Sequence, residues 1–340
     1  MMVHCAKFGY NRAMILVTGA TGFVGRCLVP RLVESGAQVR CLLRPARQDP
    51  RLPRDVPLQV AVASVQDYRG LRAALVGVKT VIHLASTENY PWSGKTKTAN
   101  SNALLEAEGT AARNLVQAAQ EVGVKQIIYL SQLGADRASA FLLYKAKGIV
   151  EEIIRSSGIT YSIIRSGIIF GAEDHFTNTL ATLLLAAPYF FVLPGDGEIK
   201  LHPIWVEDVA TCLEWCMEDP ALRNLVMPIG GPEFISIRQI LETIQTQLHL
   251  PRYMLPLPIP YVRAFTERFN RSFRDSPVTS LWLDHFAVNR VCEIQSTPRY
   301  FGIRPAPLHQ HIEHIRHWNW WRAWRYLRSG KFPPQIGANT

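Results

Sequence analysis

Short apolar runs rich in Val and Ile recur through the first half of the chain, and between them lie longer stretches whose apolar positions return every three or four residues. The first pattern marks strands and the second marks helices with one buried face. "MILVTGATGFVGRCLVPRLVESGAQVRCLLR" reads as a strand, a glycine turn, a helix and a second strand. "LQVAVAS", "VKTVIHLAS", "VKQIIYLSQLG" and "ITYSIIRSGIIFG" follow as further strands, separated by helical stretches such as "EGTAARNLVQAAQEVG". These runs are apolar without alternation, which suits strands covered on both faces. Six or seven strands alternating with helices predict an α/β fold, a Rossmann-type doubly wound parallel sheet.

After Gly171 the alternation breaks down, and a smaller C-terminal α/β lobe is predicted. "PIWVEDVATCLEWCMED" reads as a strand end entering a helix, and "LVMPIGGPEFISIRQILETIQTQL" as a strand, a Gly-Gly-Pro turn and a helix. The expected divisions are an N-terminal extension (1–13), a nucleotide-binding unit (14–171), a lobe interleaved with the sheet that closes a cleft (172–310), and a basic, Trp-rich terminal helix and tail (311–340). Met14 opens the first strand, so residues 1–13 are expected to be an optional extension. The longest apolar run, Leu180 to Pro194, is short of the roughly 20 residues that span a bilayer and is expected to be a buried helix.

Composition narrows this picture in two ways. The six cysteines are scattered without a CxxC pair, which fits buried thiols in a reducing compartment. Charge is uneven: residues 251–340 hold 13 Arg/Lys against 5 Asp/Glu, whereas residues 1–250 hold 24 against 22. The basic excess coincides with "HWNWWRAWRYLRSGK", where tryptophan and arginine interleave. Such a segment suits an anionic membrane surface or an acidic face of a membrane complex, reached through residues 251–330. No groove-reading motif accompanies it, so nucleic acid is not the expected partner. His309, His311, His314 and His317 cluster without the cysteines or paired carboxylates that complete a zinc site, so no metal is expected.

The glycine turn carries the most specific chemistry. Gly19, Gly22 and Gly25 in "TGATGFVG" sit between a strand and a helix, where the first permits the turn, the second admits a pyrophosphate and the third lets helix and strand pack closely. Beyond the second strand, "VRCLLRPARQ" offers Arg40, Arg44 and Arg47 and no acid before Asp49. Arginine there accommodates a 2′-phosphate, so NADP(H) is favoured over NAD(H).

"TGATGFVG", "VRCLLR", "VIHLAS", "IIYLSQLGA", the lysine of "YKAKG", "SGIIFGAEDHF" and "HPIWVEDVA" together resemble the atypical short-chain dehydrogenase/reductase superfamily. Their order over roughly residues 14–310 is similar to the branch containing the nucleotide-binding accessory subunit of respiratory complex I and its bacterial relatives. The resemblance implies that Gly19, Thr21, Gly22, Phe23, Val24 and Gly25 line the pyrophosphate and that Arg44 meets the 2′-phosphate. It further implies that Ala85 and Ser86 pass beside the dinucleotide and that Lys145 bonds the nicotinamide ribose. Relatives commonly place a Gly-Asp at "VASVQD" to bind the adenine amino group; Ser64 stands there instead, leaving adenine to backbone, Ser64 or Asp67.

Tyrosine-dependent members of the superfamily use a serine at the end of the fifth strand and a tyrosine four residues before the lysine. Ser131 fits the first position, but the tyrosine position holds Phe141, which has no titratable proton. Tyr144 is the candidate substitute, though it lies about 60° around the helix and about 4.5 Å along it from residue 141. Ser131, Tyr144 and Lys145 are therefore the candidate catalytic set. Glu173, Asp174 and His175 could form an acid–base cluster or cap the next helix, and Asp208 is expected to cap or orient its own.

The expected function is an NADP(H)-binding scaffold, assembly or accessory factor of a membrane redox complex, with weak or absent dehydrogenase activity. The alternative is an active NAD(P)H-dependent reductase or epimerase acting on a quinone, carbonyl or nucleotide-sugar substrate. The corresponding location is cytoplasmic or peripheral on the cytoplasmic face of a membrane.

Overall fold

The computed structural model describes residues 13–45, 52, 56–86, 101–272, 278 and 280–329. Almost all of the N-terminal extension, Arg47, Asp49 and the last eleven positions lie outside the described residues. The first half alternates as the hydrophobic pattern requires: β1 (Met14–Thr18), α1 (Phe23–Glu34), β2 (Gln38–Leu43), β3 (Gln59–Val62), α2 (Tyr68–Leu75), β4 (Val78–His83), α3 (Ser101–Val122), β5 (Gln126–Gln132), α4 (Leu142–Arg155) and β6 (Thr160–Ser166). The second half runs β7 (Ile169–Phe170), α5 (His175–Ala186), β8 (Phe190–Pro194), β9 (Lys200–Leu201), β10 (Ile204–Trp205), α6 (Val206–Glu218), β11 (Leu225–Ile229), β12 (Ile235–Ser236), α7 (Ile237–Leu248), β13 (Tyr253–Leu257) and α8 (Ile259–Ser272). It closes with α9 (Ser280–Leu283), α10 (Ser296–Phe301) and α11 (Trp320–Ser329).

Seven parallel strands form the main sheet in the order β11-β6-β5-β4-β1-β2-β3. The chain winds outward from β1 through β2 to β3, then crosses to β4 on the other side of β1. That reversal opens a crevice above the carboxyl ends of β1 and β4, where α/β sheets of this kind bind ligands. Strand residues alternate between two apolar layers. Val17, Ile82, Ile128 and Ile164 pack with α1 and α6, whereas Leu16, Val81, Ile127, Tyr129 and Ile163 pack with α2, α3 and α4. Two buried faces explain why the strand sequences lack polar alternation.

A third apolar layer holds the second lobe together, drawing on α5, α7, β8, the α9 region and the segment from Leu308 to Ile315. Here one expectation fails. The run from Leu180 to Pro194 is not one buried helix: α5 stops at Ala186 before Pro188, and Phe190–Pro194 become β8, paired in parallel with β13. A second difference is at the terminus. Ile312, Ile315 and Ala323 are fully buried at helical spacing, but the regular helix starts only at Trp320, because Asn319 accepts the Arg322 amide at 3.0 Å and caps it. No helix of the described residues is long and apolar enough to cross a membrane.

Candidate functional site

The glycine turn has the geometry that each glycine's position required. Gly19 adopts φ +74°, and a β-carbon there would lie 2.8 Å from the Ala85 nitrogen, so only glycine lets the turn approach the end of β4. A β-carbon on Gly25 would lie 2.4 Å from the Gly19 carbonyl, which explains the third glycine by helix–turn contact. Gly22 takes the N-cap position of α1 with no side-chain cap and no acid in the first turn. The amides of Phe23, Val24 and Gly25 therefore face the crevice with the positive end of the helix dipole behind them. These residues fit a dinucleotide pyrophosphate.

Neighbouring groups hold the turn in place. Thr18, the last residue of β1, shares a 2.7 Å hydrogen bond with His83 of β4 and accepts the Ala85 amide at 3.3 Å. Arg26 donates to the Thr21 carbonyl at 2.8 Å and pairs with Glu173 of the "GAEDHF" loop. Phe23 packs against Gly171 and so brings that loop to the edge of the turn. Asp174 does cap α5, accepting the Thr177 amide at 2.6 Å and the Gly171 amide at 3.0 Å. Its burial lifts the carboxyl to about 6. Glu173 and Asp174 are thus spent on an ion pair and a cap, and His175 meets the Tyr326 hydroxyl at 3.1 Å.

The nucleotide-discriminating arginines separate. Arg44 is exposed just beyond β2, at the crevice end of the sheet. Arg40 lies at the opposite end, where its guanidinium binds the carbonyls of Ala74 and Val76 at the C-terminus of α2, so it faces no ligand. Asp67 caps α2 through the Gly70 amide at 3.2 Å, and the Ser64 hydroxyl accepts the Gln66 amide at the same distance.

Helix α4 arranges its residues differently from the motif reading. Phe141 is its N-cap residue, and the β5–α4 loop folds back along the helix, with Asp136 donating to the Tyr144 carbonyl at 3.1 Å. Tyr144 is buried between Gly134 and Arg290, whose guanidinium lies 5.3 Å from the ring centroid. The sheet-facing stripe of α4 is marked by Val150 and Ile154, which pack on Ile127, Tyr129 and Ile163. At about 100° per residue, Lys147 lies about 20° from Ile154, whereas Lys145 lies about 180° from it. Lys147 is 8% exposed with its ammonium 5.4 Å from the centre of the Tyr129 ring, and Lys145 is half-buried on the far side. Desolvation and the nearby Lys147 charge push the His83 imidazole down to about 3, so it stays neutral. Lys147, which the motif reading passed over, is the lysine held beside β4 and β5; the helical period from Val150 and Ile154 was the signal that could have found it.

Ser131 is not poised over the crevice. Its hydroxyl donates to Glu151 at 2.5 Å, and Glu151 also receives two guanidinium nitrogens of Arg165 at 2.6 and 2.9 Å. Ser131 and Arg165 are cross-strand partners in β5 and β6, so this triad, with Ser131 and Glu151 buried and Arg165 part-exposed, fastens α4 to the sheet. Asp208, in the first turn of α6, accepts the Ala306 amide at 2.8 Å and orients that segment rather than capping its helix. The terminal histidines diverge: His311 stacks on Trp205 at 3.9 Å, and burial pushes His314 down to about 4. No group of three metal-ligating side chains occurs among the described residues.

A parallel sheet wound in this order, with an uncapped helix facing a three-glycine turn at its switch point, defines a dinucleotide-binding protein of the Rossmann type. Residues 19–183, just under half of the chain, match the model of the NAD(P)H-binding family. The chain is 27% identical over 263 residues to NADH dehydrogenase (ubiquinone) 1 alpha subcomplex subunit 9, mitochondrial, of Arabidopsis thaliana, covering 74% of this chain and 63% of that protein. Divinyl chlorophyllide a 8-vinyl-reductase, chloroplastic, of Oryza sativa subsp. indica is 29% identical over 235 residues, 65% of this chain and 55% of that one. The chain thus spans less than two thirds of the length of these curated relatives. Among solved structures, the NADPH complex of the quinone oxidoreductase QOR2 from Escherichia coli shares the fold with a TM-score of 0.69 at 20% identity, over 89% of this chain and 99% of that chain.

Proposed function

We propose that the protein is an NADP(H)-binding accessory or assembly factor of a membrane redox complex, in which the dinucleotide is held without tyrosine-dependent proton transfer. One observation carries the reading: no phenol stands one helical turn before either lysine of α4. Counting from Lys145 the position is Phe141, and counting from Lys147 it is Leu143, which is 3% exposed. Neither side chain has a proton to give. Ser131 is bound into the Glu151–Arg165 triad, and Tyr144 packs between Gly134 and Arg290, so neither replaces the missing acid.

The residues assigned to the dinucleotide are Gly19, Thr21, Gly22, Phe23, Val24 and Gly25 for the pyrophosphate, Arg44 for the 2′-phosphate, Ala85 and Ser86 along the nicotinamide half, and Ser64 beside the adenine. We assign the ribose contact to Lys147 in place of Lys145. The exposed Arg44, and the lack of an acid at the end of β2, support NADP(H) over NAD(H). Bound at a hundred times its dissociation constant, a nucleotide adds about 2.7 kcal/mol of stability, a sufficient reason to retain it without turnover.

A second reading, a reductase delivering hydride to an acceptor that draws its proton from water, draws on Lys147, since a desolvated ammonium beside a nicotinamide ribose also serves hydride transfer. The two separate in one experiment. The nucleotide that co-purifies is identified by absorbance and mass, and NADPH oxidation is then followed with quinone and carbonyl acceptors. The accessory reading expects bound NADP(H) and turnover at background. Turnover well above background that disappears in Lys147→Met would refute it.

A further inference from the structure

The ribbon made by β8 and β13 carries apolar side chains on both faces. Inward, Phe191 and Leu193 are buried in the core of the second lobe. Outward, Phe190 is 57% exposed, Val192 48%, Tyr253 75%, Leu255 49% and Leu257 37%. The parallel register sets Phe190 beside Tyr253 and Val192 beside Leu255, with the first pair of rings 6.0 Å apart, so these residues form one continuous patch. A strand pair with one solvated face ordinarily places polar residues there. Instead, residues 187–194 and 250–262 contain no Asp or Glu, and their one charged residue is Arg252. Tyr189 and Tyr261, 72% and 67% exposed, flank the two strands in sequence.

We propose that this ribbon face is a docking surface for the interfacial layer of an anionic lipid bilayer. Three observations select lipid over a protein partner. First, the patch is small: five residues at about 3.3 Å give a length of roughly 17 Å on two strands about 4.8 Å apart. That is far below the roughly 800 Å² per partner of a stable protein interface, yet enough to seat a few side chains among acyl chains. Second, the polar atoms the exposed side chains offer are tyrosine hydroxyls, and tyrosine rings settle at headgroup depth with the apolar body inward. Third, the ribbon segments carry a cation, Arg252, and no acid, within a stretch, residues 251–340, that holds 13 Arg/Lys against 5 Asp/Glu, and basic segments are drawn to anionic headgroups. Of the two acids in the turn after β8, Glu198 pairs its carboxylate with the Arg238 guanidinium, and Asp196 turns its carboxylate back onto the Glu198 amide at 2.9 Å. The inference gives the membrane-associated reading above a specific face.

The test is flotation of the full-length, nucleotide-loaded protein with vesicles of phosphatidylcholine alone or mixed equally with phosphatidylglycerol. Wild type is expected to float with the mixed vesicles, less so as salt is raised. Leu255→Asp is expected to lose at least about tenfold in partitioning, the scale of withdrawing one large apolar side chain from a dry environment, and Leu255→Ile to restore it. Nucleotide retention and NADPH turnover should not change in either variant, so those readouts judge the proposed function while flotation judges the ribbon. Tyr253→Ser, at a more exposed position, serves as a second variant with the same expectation. The proposal is overturned if Leu255→Asp and Tyr253→Ser float like wild type, or if Trp321→Ser alone abolishes flotation. It is equally overturned if wild type ignores vesicles but sediments as a dimer that Leu255→Asp dissociates.

Discussion

Replacing Lys147 by methionine separates the two lysines of α4. Lys147 is 8% exposed as a residue, its ammonium lies over the Tyr129 ring, and none of the described carboxylates pairs with it. In the nucleotide-free protein its removal sacrifices a cation–π contact of at most about 2 kcal/mol. It also relieves a desolvation cost of several kcal/mol per buried ion. The variant should therefore melt at the same temperature as wild type or higher. With nucleotide the sign reverses: a hydrogen bond to a charged group contributes about 1.5–3 kcal/mol, and at about 1.4 kcal/mol per decade its loss weakens binding roughly 10- to 150-fold. Lys145→Met, half-buried on the opposite side, should leave affinity within about twofold by the same arithmetic. Titration calorimetry with NADPH gives the affinities, and thermal melts without nucleotide give the stability. A larger affinity loss in Lys145→Met than in Lys147→Met refutes the reasoning, as does a several-degree drop in the melting temperature of nucleotide-free Lys147→Met.

Two further outcomes follow from buried charge. Arg165→Met leaves Glu151, 3% exposed, without its counter-ion and should cost about 3–5 kcal/mol by urea denaturation, with most of it recovered in the double variant Arg165→Met/Glu151→Leu; a loss below about 1 kcal/mol would mean the carboxylate is solvated. Asp174 has its carboxyl raised from 3.8 to about 6, so the folded state keeps a proton that the unfolded chain releases, and this group's contribution falls as pH rises from about 4 to about 6. His83, lowered from 6.5 to about 3, works in the opposite direction, losing its contribution as pH falls below about 6.5. The stability of Asp174→Asn relative to wild type should therefore climb with pH across that window, on the order of 3 kcal/mol in total, and a flat difference in paired denaturation curves would contradict it.

The sheet was legible because its central strands, β1, β4, β5 and β6, are covered on both faces, which writes the fold into the sequence as Val/Ile-rich runs. The glycine turn was legible because Gly19 and Gly25 meet steric demands that no other residue satisfies. The lysine was not: the "YKAKG" motif contains two, and choosing Lys145 fixed on a spacing from Phe141 where the helical period from Val150 and Ile154 selects Lys147. Ser131 misled for a related reason, since whether a strand-end hydroxyl faces a ligand or a carboxylate depends on Glu151, twenty residues away. The apolar run ending at Pro194 misled because Pro188 ends the helix and the last five residues form a strand, in which Phe191 and Leu193 are buried while the apolar Phe190 and Val192 are exposed.

The tie between the "GAEDHF" loop and the chain's last helix has a kinetic meaning. Glu173 clasps Arg26 beside the glycine turn, while His175 and Asn178 hold Tyr326 and Trp318, at sequence separations of 147, 151 and 140 residues. Contacts this distant in sequence are slow to close, and those to Tyr326 cannot form until the chain through that residue has emerged from the ribosome. The layer beneath α2, α3 and α4 draws its buried residues from the first half of the sequence, whereas the layer beneath α1 needs α6 and Phe301, and the loop that grips the glycine turn is held through Trp318 and Tyr326. During synthesis the closing of the second lobe around that loop is therefore a late event.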